Sequence, residues 1–124
     1  MNTPQPRIAV LADDLIWSSR LTAAVERGGG EPLRQATAES LGRLLASEPG
    51  VSAVVVDLNG RGYDGVEAVR LAAADGRPVL AVGQHEDLEL RKRALAAGAR
   101  RVFSYNKLFS DGPQVMSALV EGRL

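Results

Sequence analysis

The chain alternates short, continuously apolar segments with segments whose apolar positions recur at helical spacing. The apolar segments predict strands at 8–12, 32–36, 51–56, 78–82 and 101–105. The helical spacing predicts helices at 15–27, from Thr37 or Glu39 to the Pro49-Gly50 stop, and at 65–74, 86–97 and 114–121. Strands that alternate with helices of about ten to fifteen residues are typical of right-handed βαβ units. The pattern therefore predicts an α/β fold, a doubly wound five-stranded parallel sheet with helices on both faces.

Two of the strands differ in character. Val54, Val55 and Val56 are β-branched and continuously apolar, which is typical of a strand buried on both faces of a parallel sheet. The segment 32–36 is mixed in polarity, which favours a sheet edge. The alternating units fill the sequence, so we expect one domain over residues 1–124, with a core at about 7–121.

Composition narrows the class of protein. The 124 residues are 45% hydrophobic and 24% charged, with 15 basic and 15 acidic residues and no cysteine. A zero formal charge does not favour nucleic acid or an anionic membrane surface as a partner. No apolar run approaches the roughly 20 residues of a membrane helix, and residues 1–6 lack a signal-peptide core. We expect a soluble, cytoplasmic protein.

Polar side chains follow the first and third predicted strands, at one edge of the sheet. Asp13 and Asp14 follow the first strand, and Asp57 and Asn59 follow the third. Two like charges about 4 Å apart repel by roughly 4 kcal/mol at an effective dielectric constant of 20, so clustered carboxylates need a cation or a raised pKa. Oxygen ligands suit Mg²⁺ or Mn²⁺. The alternative is that Asp13 or Asp14 only caps the following helix.

The chain resembles the receiver domain of bacterial response regulators. The run from Asp57 to Gly65, D-L-N-G-R-G-Y-D-G, resembles the receiver motif D-L-x-x-P-G-x-D-G at the same spacing. The segments 8–14, 78–82 and 94–99 resemble its first strand with the acidic pair, its fourth strand and the A-L-x-A-G-A run. The resemblance implies a CheY-like, flavodoxin-like fold, with Asp57 at the phosphoacceptor position. It also implies an acidic pair at Asp13 and Asp14, and Mg²⁺ held by these three aspartates and the Asn59 backbone carbonyl.

The chain departs from the family at its switch residues. Gly83 stands where the family has a hydroxyl residue, Tyr105 where it has an invariant lysine, and Val102 at the aromatic switch position. Arg61 replaces the loop proline. The resemblance implies that the hydroxyl and the lysine contact the phosphoryl group and move the loop after the fourth strand. Without them, a phosphoryl group at Asp57 would cause little conformational change. Lys107 lies near enough to bend back into the pocket, although a solvated lysine is the commoner outcome.

Three positions are candidates for a partner surface. Trp17, at the start of the first helix, points away from the centre of the buried face, and tryptophan is frequent at binding hot spots. Partial burial against a neighbouring loop is the alternative. Arg91 and Arg101 belong to a basic surface on the fourth helix and fifth strand, for which a solvated face is the alternative. The resemblance implies docking or a homodimer through the fourth helix, fifth strand and last helix. His85 is expected to be an exposed loop residue.

These observations lead to one functional hypothesis with two alternatives. The first is a stand-alone, atypical receiver-type signalling module, not an enzyme, which contacts a sensor kinase, phosphotransferase or downstream effector with weak or absent phosphorylation at Asp57. The second is a phosphorylation-competent receiver that uses Mg²⁺ and Asp57. The third is a flavodoxin-like ligand-binding domain or small enzyme.

Overall fold

The strands and helices alternate strictly along the chain. A computed structural model describes residues 4–84 and 86–124. The strands are β1 (Arg7–Leu11), β2 (Glu31–Gln35), β3 (Val51–Asp57), β4 (Val79–Gly83) and β5 (Arg101–Ser104). The helices are α1 (Leu15–Arg27), α2 (Ala38–Ser47), α3 (Gly65–Ala73), α4 (Leu88–Ala97) and α5 (Tyr105–Val120).

The five strands form one parallel sheet in the order β2-β1-β3-β4-β5. The prediction of a doubly wound α/β fold is confirmed. The central strand is β3, and Val54, Val55 and Val56 in it are fully buried. The mixed strand β2 lies at an edge, as its polarity predicted. The order reverses direction between β1 and β3, and ligands of such sheets bind beyond the carboxyl ends of the strands at this kind of switch point.

Each face of the sheet carries its own hydrophobic core. On one face, α1 and α5 contribute Leu21, Val25, Met116 and Leu119 to a buried cluster with the strands. On the other face, α2, α3 and α4 pack against the sheet through a second buried cluster. This division places α1 and α5 side by side. The described residues include no helix that is both long and apolar enough to cross a bilayer.

Four helices lie close to their predicted bounds, but the start of the last one was wrong. It was predicted at 114–121, after Pro113, and α5 begins instead at Tyr105. The Ser104 hydroxyl caps it by accepting a hydrogen bond from the Lys107 amide at 3.1 Å. Pro113 lacks an amide hydrogen and costs a helix about 3 kcal/mol in its interior. Burial of apolar residues on both sides of it, including Leu108 and Met116, offsets that cost.

Candidate functional site

The candidate site lies at the carboxyl edge of the sheet, above β1, β3 and the start of α5. Asp57 is the last residue of β3, and its side chain is buried, with 1% of the residue exposed. Its Oδ1 accepts hydrogen bonds from the Tyr105 hydroxyl and, at 3.1 Å, from the Asn59 amide. Within the described residues no buried side-chain polar atom is left without a partner. The two hydrogen bonds to Oδ1 bring Asp57, Asn59 and Tyr105 together.

Burial is the main influence on the Asp57 carboxyl group. It raises the pKa of Asp57 above its ordinary value, because an ionised carboxylate loses its hydration there. The hydrogen bonds from Tyr105 and Asn59 lower the pKa, and the charges of Asp13 and Asp14 raise it. The net effect is a pKa above the usual range. Burial and the neighbouring carboxylate also raise the pKa of the Tyr105 phenol, so this group stays a hydrogen-bond donor at neutral pH.

Tyr105 occupies the pocket because α5 begins early. As the first residue of α5, it lies above the end of β3, and its hydroxyl meets Asp57. The same hydroxyl oxygen lies 3.4 Å from Asn59 Oδ1. The Tyr105 ring stacks on Trp17, with ring centroids 3.9 Å apart and planes inclined by 23°. Tyr105 therefore contacts the buried carboxylate through its hydroxyl and Trp17 of α1 through its ring.

Asp13 and Asp14 have different hydrogen-bond partners. Asp13 Oδ2 accepts hydrogen bonds from the amides of Arg61 at 3.1 Å and Gly62 at 2.7 Å, which ties the end of β1 to the loop after β3. Asp14 caps α1, since its Oδ1 accepts a hydrogen bond from the Trp17 amide at 2.9 Å. Capping was the alternative interpretation for either residue, and Asp14 follows it.

Asn59 links the loops that follow β3 and β4. Its Oδ1 accepts a hydrogen bond from the Gln84 amide at 3.0 Å. A side chain at Gly83 would begin 3.0 Å from the same oxygen, closer than most real contacts. The absence of a side chain at Gly83 therefore leaves room for the side-chain amide of Asn59. Glycine also provides no hydroxyl at this position. The predicted role of Asn59 concerned its backbone carbonyl, whereas the described contacts involve its backbone amide and its side chain.

Tyr63 lies beneath the pocket and was not singled out from the sequence. Its hydroxyl donates to the Asp57 carbonyl at 2.6 Å and lies 3.2 Å from the Leu11 carbonyl. These two carbonyls belong to neighbouring strands, so one phenol holds their carboxyl ends together. The loop accommodates the ring because Gly60 has no side chain, and a Cβ there would fall 2.1 Å from a Tyr63 ring carbon. An aromatic residue inside a glycine-rich turn was the available signal.

The remaining switch positions are also placed by the structure. Val102, which the resemblance assigns to the aromatic switch position, is buried in β5, with 9% exposed. The Lys107 ammonium group lies 4.0 Å from Asp111 on α5 and 5.8 Å from the Phe103 ring centroid. Lys107 therefore points along α5, and the side chain of α5 that contacts Asp57 is that of Tyr105. Arg61 is exposed and contributes its backbone amide to the pocket.

The arrangement does not fit a divalent cation. The residues predicted to bind Mg²⁺ lie near one another, and both Asp13 oxygens, Asp14 Oδ1 and Asp57 Oδ1 accept hydrogen bonds from Tyr105 or from backbone amides. Residues 4–84 and 86–124 contain no group of three carboxylate or histidine side chains placed to hold a metal ion. Mg²⁺ needs near-ideal octahedral oxygen ligands. Chemically, the site is a buried carboxylate held by a phenol and an amide.

The predicted partner positions are dispersed over the surface. Trp17 is partly buried by Tyr105 rather than projecting as a free anchor. Arg91 and Arg101 are exposed, on α4 and β5. Leu88 and Leu95 of α4 are also exposed, at 64% and 44%, which adds apolar area to this basic surface. His85 lies outside the described residues.

Comparison with known proteins supports the fold. No protein-family model matches the chain, and no curated protein sequence is significantly similar to it. The chain superposes on a response regulator receiver domain from Clostridium thermocellum with a TM-score of 0.80 and 17% identity, covering 94% of this chain and 95% of that one. A LuxR-family two-component response regulator from Aurantimonas sp. SI85-9A1 gives a TM-score of 0.80 and 24% identity, over 98% and 88% of the two chains.

A third solved structure matches nearly the whole of this chain and all of the other. It is a sensor protein from Polaromonas sp. JS666, with a TM-score of 0.78 and 21% identity over 98% of this chain and 100% of that one. At these identities the likeness concerns the fold. The chain therefore has the fold of response regulator receiver domains, the CheY-like form of the flavodoxin-like α/β architecture.

Proposed function

We propose that the chain is an atypical receiver-type signalling module that works by protein–protein contact, with weak or absent phosphorylation at Asp57. The observation that carries the proposal is the Tyr105 hydroxyl hydrogen-bonded to Asp57, at the position where receiver domains have lysine. A phosphoryl group entering this pocket must displace the phenol. It would meet no ammonium group there and no hydroxyl at Gly83.

Electrostatics supports the same proposal. Phosphoryl transfer to a carboxylate needs cationic groups that neutralise the charge on the transferring oxygens. The Asp13 and Asp14 charges lie near Asp57, and Lys107, the lysine nearest in sequence to Tyr105, lies beside Asp111. The negative charges of the pocket therefore repel the negative charge of an incoming phosphoryl group. The partners we propose are a sensor kinase, a phosphotransferase or a downstream effector, with a homodimer through α4, β5 and α5 as a further form. A cytoplasmic location stays a prediction.

The competing function is that of a phosphorylation-competent receiver. One observation favours it, since Asp57 stands at the carboxyl end of the central strand, the position that the receiver motif gives its phosphoacceptor. The two functions differ in what Asp57 does when a phosphodonor is supplied, so one assay separates them.

The assay supplies acetyl phosphate or beryllofluoride with Mg²⁺ and records the intact mass and the amide NMR spectrum. We expect little phosphorylated protein and no spread of shifts from Asp57 to Gly83 and Val102. A phosphorylatable receiver domain is the positive control. The double variant Tyr105→Lys, Gly83→Ser restores the missing groups and should gain phosphorylation, whereas Tyr105→Phe should not. A stable, stoichiometric phosphoprotein at Asp57 of the unaltered chain refutes the proposal.

A further inference from the structure

The most exposed large apolar side chains of the described residues lie at the starts of two helices. Leu15 and Ile16, which begin α1, are 76% and 61% exposed, and Leu88, which begins α4, is 64% exposed. The two helices pack on opposite faces of the sheet. Exposed apolar residues that are grouped and rimmed by polar side chains indicate interaction surfaces, whereas single ones do not. Both helix starts have such a rim.

At the start of α1 the rim is acidic. An open depression of about 540 Å³ is lined there by Asp13, Asp14, Leu15, Ile16, Asn59 and Arg61. The carboxylates of Asp13 and Asp14 accept hydrogen bonds from backbone amides, which are neutral donors and leave both negative charges in place. With one guanidinium group among the described residues of this lining, the charge of the depression is negative. We call residues 13–16 the acidic surface.

On α4 the exposed face is basic. Spacings of three, four and seven residues put two cations between two leucines on one face of the helix, and we call this set the basic surface: Leu88, Arg91, Lys92 and Leu95. All four are exposed, whereas Ala94 and Ala97 on the other side of α4 are buried. Lys92 lies 3.9 Å from Glu89, and Arg91 has no ion-pair partner among the described residues. Arg91 is therefore the uncompensated cation between the leucines.

We propose that the acidic surface of one copy of the chain binds the basic surface of a second copy, so that the chains associate head to tail. The apolar residues of the two surfaces pack against each other, and the carboxylates of Asp13 and Asp14 face the guanidinium group of Arg91. Guanidinium groups match carboxylates well, because their planar donors pair with both oxygens. The chain carries both halves of the contact, and its zero formal charge adds no long-range repulsion between copies.

The symmetry of this contact distinguishes it from a homodimer in which α4 meets α4. A contact between two different surfaces is heterologous, so a pair of copies keeps one free acidic and one free basic surface, to which further copies add. A dimer through α4, β5 and α5 is isologous and stops at two copies. Both forms use the basic surface, so they exclude each other. The inference goes beyond the proposed function, because the contact joins copies of the chain and needs no change at Asp57.

The test measures self-association by sedimentation velocity over a range of chain concentrations, with no phosphodonor present. We expect the average mass of the unaltered chain to rise with concentration and to pass that of a dimer. The variants Ile16→Lys and Leu95→Glu each place a like charge opposite the other surface, and each alone should stay monomeric. Both positions are exposed, and circular dichroism checks that the variants fold. An equal mixture of the two retains one intact pair of surfaces and should form a heterodimer that grows no further.

Amide NMR on the mixture assigns the contact. With labelled Ile16→Lys and unlabelled Leu95→Glu, shifts should fall on residues 88–95. With the labels exchanged, they should fall on residues 13–16.

Charge variants test the electrostatic part of the contact. Asp14→Asn removes a charge and keeps a residue type that caps helices well. This variant and Arg91→Gln should each weaken the association about twofold to fivefold, in keeping with one exposed ion pair. Leu71→Glu is the matched control for Leu95→Glu, since Leu71 is 46% exposed on α3 and belongs to neither surface. It should associate as the unaltered chain does.

Four results would overturn the inference. They are an unaltered chain that stays monomeric at all concentrations, an Ile16→Lys chain that still associates as the unaltered chain does, two variants that form no heterodimer when mixed, and an equal loss of association in Leu71→Glu. The second result would assign the association to an isologous contact through α4. Each of these results leaves the phosphodonor assay to decide the role of Asp57, and a phosphorylated Asp57 would refute the proposed function without affecting the head-to-tail contact.

Discussion

Replacement of Tyr105 by phenylalanine isolates the hydrogen bond on which the proposed function depends. The variant removes the hydroxyl that donates to Asp57 and keeps the ring that stacks on Trp17. A hydrogen bond to an ionised group contributes about 1.5–3 kcal/mol, and one between neutral groups about 0.5–1.5 kcal/mol. We therefore expect Tyr105→Phe to lower the free energy of unfolding by about 2 kcal/mol when Asp57 is ionised, and by about 1 kcal/mol when it is neutral.

The sign of the pH dependence follows from the pKa of Asp57. Because burial raises that pKa above its unfolded value of 3.8, Asp57 contributes stability that is fully present below the unfolded pKa. This stability is lost as the pH rises through the folded pKa. The Tyr105 hydroxyl lowers the pKa of Asp57, so removing it raises the pKa further and makes the loss larger. The deficit of the variant should grow from acidic to neutral pH.

Urea unfolding followed by circular dichroism, from pH 3.5 to 8, measures this deficit. The background variant Asp57→Asn is the control, because an amide does not titrate. In that background the effect of Tyr105→Phe should be independent of pH, and the double-mutant cycle removes contributions from Asp13 and Asp14. A deficit that is constant with pH, or that is equally pH-dependent in the Asp57→Asn background, would show that the reasoning is incorrect.

Three further predictions concern the frame of the site. Tyr63→Phe removes the hydroxyl that joins the Asp57 carbonyl to the neighbouring strand and should cost about 1 kcal/mol in urea unfolding, and an unchanged midpoint would contradict this. Gly65→Ala places a Cβ 2.8 Å from backbone atoms of Leu58 and should cost about 1–3 kcal/mol. Gly50→Ala, where no atom lies within 4 Å, is its control and should cost clearly less. Addition of Mg²⁺ should leave the amide NMR shifts of the pocket unchanged, since the described residues contain no group of three carboxylate or histidine side chains placed to hold a metal ion; saturable shifts at Asp57 would argue for a metal site.

The exposed leucines of α4 lie on the same surface as the exposed Arg91. Leu88 and Leu95 are seven residues apart, which puts them on one face of the helix with the Arg91 region between them. Docking or dimerisation through α4, β5 and α5 stays a prediction.

The sequence by itself determined the fold of this protein. Alternating strand and helix patterns indicate which backbone segments are strands and which are helices, and the valine run of β3 indicated a strand buried on both faces. Such patterns are local, because burial on one or both faces of an element imposes its period on consecutive residues. The carboxyl edge of the sheet followed from the same pattern, and with it the neighbourhood of Asp13 and Asp57.

Only the tertiary structure determined which of those residues contact one another. Trp17 and Tyr105 lie far apart in the sequence, and their stacking depends on the packing of α1 beside α5. The early start of α5 was missed because Pro113 normally marks a helix beginning, whereas here the buried residues around it outweigh the lost hydrogen bond. Hydrogen bonds from Tyr105 to Asp57 and from the Gly62 amide to Asp13 join separate loops. No periodic signal records such contacts, because they depend on the relative positions of elements rather than on the burial of any one of them.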